Sequence, residues 1–158
     1  MNEVKVIDNN GILIATYEVG INPGDFAYWE SNETSNSTWV FVANEGNYGA
    51  SNGSISMIDE LGNVTTIEQV GDVVQSLAVY KNKLIVIVNN SHKIKFYDIS
   101  KYGLSLPGIE VSTENSSPRE MIIIDDKVYF TNWNTKDVKV LNLLNYEIEA
   151  SIPTGEMP

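Results

Sequence analysis

Cysteine is absent from this 158-residue chain, and histidine occurs once, at His92. Disulfides, thiolate metal sites and cysteine nucleophiles are therefore excluded, as is any metal site built from several histidines. Basic residues are scarce: 10 Lys and Arg stand against 21 Asp and Glu, for a net charge of −11. A surface of that sign repels nucleic-acid phosphates and anionic lipid, so nucleic acid is not expected as a partner. No apolar run approaches the length of a membrane span. The first eight residues carry no basic segment followed by an apolar stretch, so they do not read as a signal peptide. The expectation is either a cytoplasmic protein or an export signal upstream of these residues. Hydrophobic residues still make up 42% and charged residues 20%, a composition that folds around a core.

What is present is a repeat. An apolar strand ending in Asn reads VFVAN at 40–44, IVIVN at 85–89 and VYFTN at 128–132. A second strand reads SISMID at 54–59, KIKFYD at 93–98 and DVKVLN at 137–142, with a further copy, VKVID, at 4–8. Two more strands complete the unit. One group is ATYEVG (15–20), TTIEQVG (65–71), LPGIEVS (106–112) and IEASIPTG (148–155); the other is DFAYWE (25–30), VQSLAVY (74–80) and REMIIID (119–125). Apolar and polar residues alternate with period two, and Gly, Asn and Asp punctuate the joints, as in half-buried strands joined by tight turns. No stretch has a sustained helical period.

Units of 43–45 residues with four strands each predict an all-β chain of β-propeller blades, with about fourteen strands. A β-sandwich is the alternative that short strands at regular spacing leave open. With the strands named a to d, residues 1–22 form a half blade (c, d), and 23–70, 71–114 and 115–158 form three whole blades. Closed propellers have roughly four to eight blades. About three and a half blades predict a partial propeller whose parent continues at both ends and whose missing blades are its first partner. Exposed blade edges invite association. Light scattering of the isolated chain is thus expected to show oligomers or aggregates; a stable, cooperative 17.5 kDa monomer would contradict this.

VYFTN, VKVLN and SIPTG near the C-terminus resemble the repeat of the YVTN (YncE-like) surface propellers. FVANEGNYGASNGSIS (41–56), GDVVQSLAVYKNK (71–83), IVNNSHKI (87–94), SPRE (117–120) and YFTNWN (129–134) are similar to a narrower group. These are seven-bladed surface-exposed propellers of Gram-negative bacteria with TonB-dependent uptake. The resemblance covers residues from about Trp39 onward. It implies a cell-surface or outer-membrane location and capture of a scarce nutrient, such as a cobalamin or an iron-siderophore. It also implies an outer-membrane TonB-dependent transporter as partner.

In a four-stranded blade the b-to-c and d-to-a loops emerge on one face of the disc. That position groups Glu45, Asn47, Tyr48, Asn90, His92, Trp133 and Asn134 with Asp25, Asp72, Gln75 and Arg119. Amide, aromatic and guanidinium groups suit a polar ligand, and Arg119 suits a carboxylate or phosphate. The ligand-binding candidates are Glu45, Asn47, Tyr48, Gln75, Asn90, His92, Arg119 and Trp133. Each has a structural alternative. Arg119 is also placed to tie neighbouring blades through a carboxylate. Tyr48, Trp133 and Trp29 equally suit packing between blades. Asn44, Asn89 and Asn132 suit backbone hydrogen bonds at strand ends. Nucleophilic catalysis needs a base and an orienting group, which one histidine and no cysteine do not supply. No cofactor is expected. A calcium-dependent hydrolase built on Glu45, Asn90 and Asn132 is the enzymatic alternative, and an adhesive or protein-interaction propeller the structural one.

Overall fold

Strand β8 (Lys83–Val88) carries the organisation of the whole molecule in six residues. Successive side chains of a strand point to opposite faces. Here Leu84, Val86 and Val88 enter one apolar core while Ile85 and Ile87 enter another, all of them fully buried. A strand apolar on both faces belongs in the middle of a stack, and the computed structural model places it there. The structure describes residues 2–32, 37–156 and 158.

Strands β1 (Glu3–Ile7) and β2 (Leu13–Glu18) form a two-stranded hairpin. Then come β3 (Pro23–Glu30), β4 (Thr38–Asn44), β5 (Gly53–Asp59) and β6 (Val64–Gly71), an antiparallel meander in chain order. The middle sheet holds β7 (Val74–Tyr80), β8, β9 (Lys93–Ser100), β10 (Gly103–Leu104) and β11 (Ile109–Ser112). The last sheet holds β12 (Pro118–Ile124), β13 (Lys127–Asn132), β14 (Asp137–Asn142) and β15 (Ile148–Pro153). The described residues form no helix. The three larger sheets are propeller blades, packed face to face, with the first strand of the middle one beside the first strands of both others.

The described strands number fifteen against about fourteen expected, and the difference lies in one place. The outer strand of the middle blade is split: β10 pairs with Ile99 and Ser100, whereas β11 pairs with the stretch from Lys93 to Phe96, both along the same edge of β9. Pro107 sits in the gap, where it has no N–H to donate, and Gly108 follows with φ +81°. The expected strand over 106–112 therefore begins only at Ile109.

Two cores join the blades. Phe41, Ile55 and Trp39 of one sheet meet Leu84, Val86 and Tyr97 of the next, and Ile85, Ile87 and Phe96 meet Val128, Phe130 and Leu141 of the third. Polar ties reinforce the first junction. Trp29 Nε1 donates to Asn82 Oδ1 at 3.1 Å, Trp39 Nε1 donates to the Ser100 carbonyl at 3.0 Å, and Asp25 Oδ2 accepts the Leu77 N–H at 2.7 Å. Trp29 and Asp25 thus serve the blade junction. Repeated hairpin turns close strands c and d. Asp8 Oδ1 accepts the N–H groups of Asn10 and Ile12, Asp59 Oδ1 those of Leu61 and Asn63, and Asn142 Oδ1 that of Leu144.

On the outer edge of the middle blade Glu110 lies opposite Lys95 and bonds both Lys93 and Lys95 at 2.8 Å. The hydrogen bonds from Lys93 and then Lys95 hold its carboxyl down at about 2, against an ordinary 4.5. A depressed carboxylate contributes stability above its unfolded pKa and loses it as pH falls through the folded one. The side chain is 44% exposed, so the contribution stays within about 1 kcal/mol after solvent screening. Glu110→Gln is expected to flatten the loss of stability between pH 4.5 and about 2, read by acid titration of unfolding. An unchanged acid profile would show the pair to be inert.

Candidate functional site

The site is assembled by a backbone clasp repeated in each whole blade. In each d-to-a loop the residue just before the next first strand adopts a left-handed conformation: Asn22 (φ 55°), Val73 (φ 61°) and Ser117 (φ 54°). Its carbonyl, and that of the residue before it, accept two successive N–H groups from the b-to-c loop. The pairs are Glu45 with Gly46, Asn89 with Asn90, and Trp133 with Asn134, all at 2.8–3.1 Å. The clasp draws the two kinds of loop together on one face of the blades. Asn tolerates the left-handed region; a β-branched Val there is strained, as is common beside ligand sites.

A cleft of about 410 Å³ opens on this face. It brings together Glu45, Asn47, Tyr48, Gln75, Arg119 and Trp133 of the eight residues named from the sequence. Four more line it that the sequence reading left out as ligand contacts: Asn22, Gly46, Val73 and Asn89. Asn22 and Val73 are the left-handed clasp residues, and their shared place just before the first strand of a blade was the available signal.

Asn90 and His92 lie outside the lining and hold loops instead. Asn90 Nδ2 donates to Asp72 Oδ2 at 2.6 Å. The same carboxylate accepts the Gly49 N–H at 3.0 and 3.1 Å, so Asp72 ties the Tyr48 loop to the next blade. His92 Nδ1 accepts the Ser117 N–H at 3.1 Å and lies 3.4 Å from Ser117 Oγ, bridging to the loop before Arg119. The strand-end asparagines are also engaged. Asn89 Nδ2 donates to the Pro118 carbonyl, and Asn132 Nδ2 to the carbonyls of Phe130 and Asp137. Asn44 differs from expectation: its Nδ2 donates to Ser54 Oγ and Ser56 Oγ, not to backbone. Of the Glu45, Asn90 and Asn132 set, only Glu45 thus has its functional group on the cleft.

Arg119 lies flat against Trp133, with Cζ 3.7 Å from the ring centroid. This geometry covers the guanidinium's face and leaves its N–H edge available. Eight of the nine lysines form an ion pair, yet Arg119 has none among the described residues. No carboxylate tie to a neighbouring blade occupies it. Trp133 accordingly stacks within the site, and Tyr48, 80% exposed, projects from its loop. Glu45 has only a long contact at 3.5 Å from Gln75 Nε2. Next along the inner strand, burial and then the charge of Asp25 push the Glu120 carboxyl up. Among the described residues no group of three or more His, Asp or Glu is gathered as a metal site.

No family model matches the sequence, and no curated protein matches it either. Solved structures do. A functionally unknown protein from Desulfotomaculum acetoxidans superposes with a TM-score of 0.70 at 13% identity, over 92% of this chain and 47% of that one. The WD40 domain of Neurospora crassa Pan2 gives 0.69 at 14% identity, over 97% and 47%. Apo AztD from Citrobacter koseri gives 0.53 at 13% identity, over 98% and 53%. The chain spans about half the length of these structures. WD40 domains are β-propellers, and likeness at such low identity carries the fold alone. The chain is a run of β-propeller blades.

Proposed function

We propose that this chain is a non-catalytic binding module that takes a small polar ligand in the cleft between its blade loops. The observation that supports it is the convergence of side chains from three blades on one concavity. They include an arginine stacked on tryptophan that forms no ion pair among the described residues. Structural tasks account for Asp72, Asn90 and His92, but for neither Arg119 nor Tyr48. Following the resemblance of residues 39–158, the module works at the cell surface or outer membrane. There, with the other blades of its propeller, it passes a scarce nutrient to a TonB-dependent transporter. Cobalamin and iron-siderophores are the compounds to test first.

Thermal shift of the protein with these compounds, followed by calorimetry, tests the proposal. Arg119→Ala and Tyr48→Ala are each expected to weaken binding by more than about 1 kcal/mol while leaving the fold intact. Equal affinity in both variants would assign these residues to packing. A protein-interaction role on the same face gains support from the exposed Tyr48 ring, and would show as binding to a transporter with no small-molecule shift. A calcium-dependent shift with lactone turnover would favour the hydrolase.

A further inference from the structure

The charges lining the cleft have opposite signs and no ion-pair partners. Glu45 and Arg119 both border it, neither forms an ion pair among the described residues, and they do not pair with each other. For Arg119 this is unusual, since eight of the nine lysines hold a carboxylate; Glu45 shares it with most of the acidic residues of so acidic a chain. Arg119 is fixed by its stack on Trp133. The Glu45 backbone is held by its N–H, which donates to the Asn22 carbonyl at 2.9 Å, while its carboxylate lies beside Gly24 and 3.5 Å from Gln75 Nε2. Two opposite charges lining one cleft would recognise a ligand bearing the complementary pair. Gln75 and Asn47 add amide donors and acceptors to the same lining, and Tyr48 an aromatic face.

We propose that the cleft takes a zwitterion, a free α-amino acid or an unblocked short peptide. Its carboxylate would meet Arg119 and its ammonium Glu45. A guanidinium presents parallel N–H groups that match a carboxylate in a bidentate pair. A cleft of about 410 Å³ accommodates a ligand of this size and is too small to enclose a folded partner. The inference rests on the cleft being a ligand site at all, as proposed above.

The test uses the full chain in a thermal-shift panel of free L-amino acids, unblocked dipeptides, neutral sugars and organic phosphates. The best zwitterion is then titrated calorimetrically beside its N-acetyl and C-amide forms. The expected result is binding of at least one zwitterion, weakened about tenfold or more by either block. Glu45→Gln should reduce the acetyl penalty to within about twofold and Arg119→Gln the amide penalty likewise, as double-mutant logic requires. Blocked forms that bind as tightly as the free one overturn the inference. So does binding of only a sugar or phosphate, lost in Tyr48→Ala or Arg119→Gln, although the polar-ligand reading then stands. Silence across the whole panel overturns the zwitterion and removes small-ligand support for the cleft together.

Discussion

Phe41→Ala is expected to lower the unfolding free energy by about 3–5 kcal/mol, a large share of the roughly 5–15 kcal/mol that a domain possesses. Phe41 is fully buried in the first inter-blade core, and its backbone lies between Ala27 and Met57 in the sheet. Truncation removes transfer energy and leaves a cavity between two sheets that are held in register by their own ladders and cannot close together. Phe26→Ala, one strand away, provides the contrast. Phe26 is 52% exposed, and its loss should cost about 1 kcal/mol or less. Urea unfolding of both variants measures the difference. Similar midpoints for the two would mean that the blades are not packed as described.

Gly46→Ala is expected to cost about 1–3 kcal/mol and to abolish ligand binding in the cleft. Gly46 has φ +76°, and a Cβ there would lie 2.6 Å from the Gly53 nitrogen and 2.8 Å from the Asn52 carbonyl carbon. Those are backbone atoms, so relief requires moving the loop itself. Gly46 also donates to the Ile21 carbonyl in the clasp and accepts Asn22 Nδ2 at 2.9 Å. Displacing it displaces Glu45, Asn47 and Tyr48 together. Gly49→Ala separates dihedral strain from steric conflict. Its φ is +78°, but no atom lies within 4 Å of the added Cβ, so it should cost about 1 kcal/mol and leave the lining in place. Equal losses in the two variants would show that crowding around Gly46 is not the cause.

The fold was legible where physics is local. The uninterrupted apolar run at 84–88 names a strand buried on both faces, and period-two alternation names the half-buried ones such as 119–125. The turns at Asp8 and Asp59 were legible for the same reason: an Asx carboxylate closes its own hairpin. The split outer strand was less so. Pro107 and Gly108 are visible in the sequence, but the way both halves share one edge of β9 depends on that edge. The site was legible as a face, since loop position follows from blade topology, and six of the proposed contacts do share one cleft. Asn90 and His92 occupy equivalent loops yet turn to Asp72 and Ser117. That choice is made by neighbours far apart in the chain, which residue type and spacing do not encode. The clasp escaped notice because it is made of backbone groups and shows in side-chain identity only as a tolerance for the left-handed region at Asn22, Val73 and Ser117.

Strand β8 is hydrogen-bonded to β7 and β9 along its two edges and buried on its two faces. Blades stacked in a row behave as a one-dimensional chain of units coupled only to nearest neighbours. Within these residues the β3–β6 and β12–β15 sheets each share one apolar core with the middle sheet, whereas the middle sheet shares two. Backbone amides of β8 are therefore expected to be among the slowest of the described residues to exchange with solvent. Arg119 and Trp133 belong to the sheet that follows the middle one and Gln75 to the middle sheet itself, so the cleft lies across a junction between blades, and whatever shifts that junction shifts its lining.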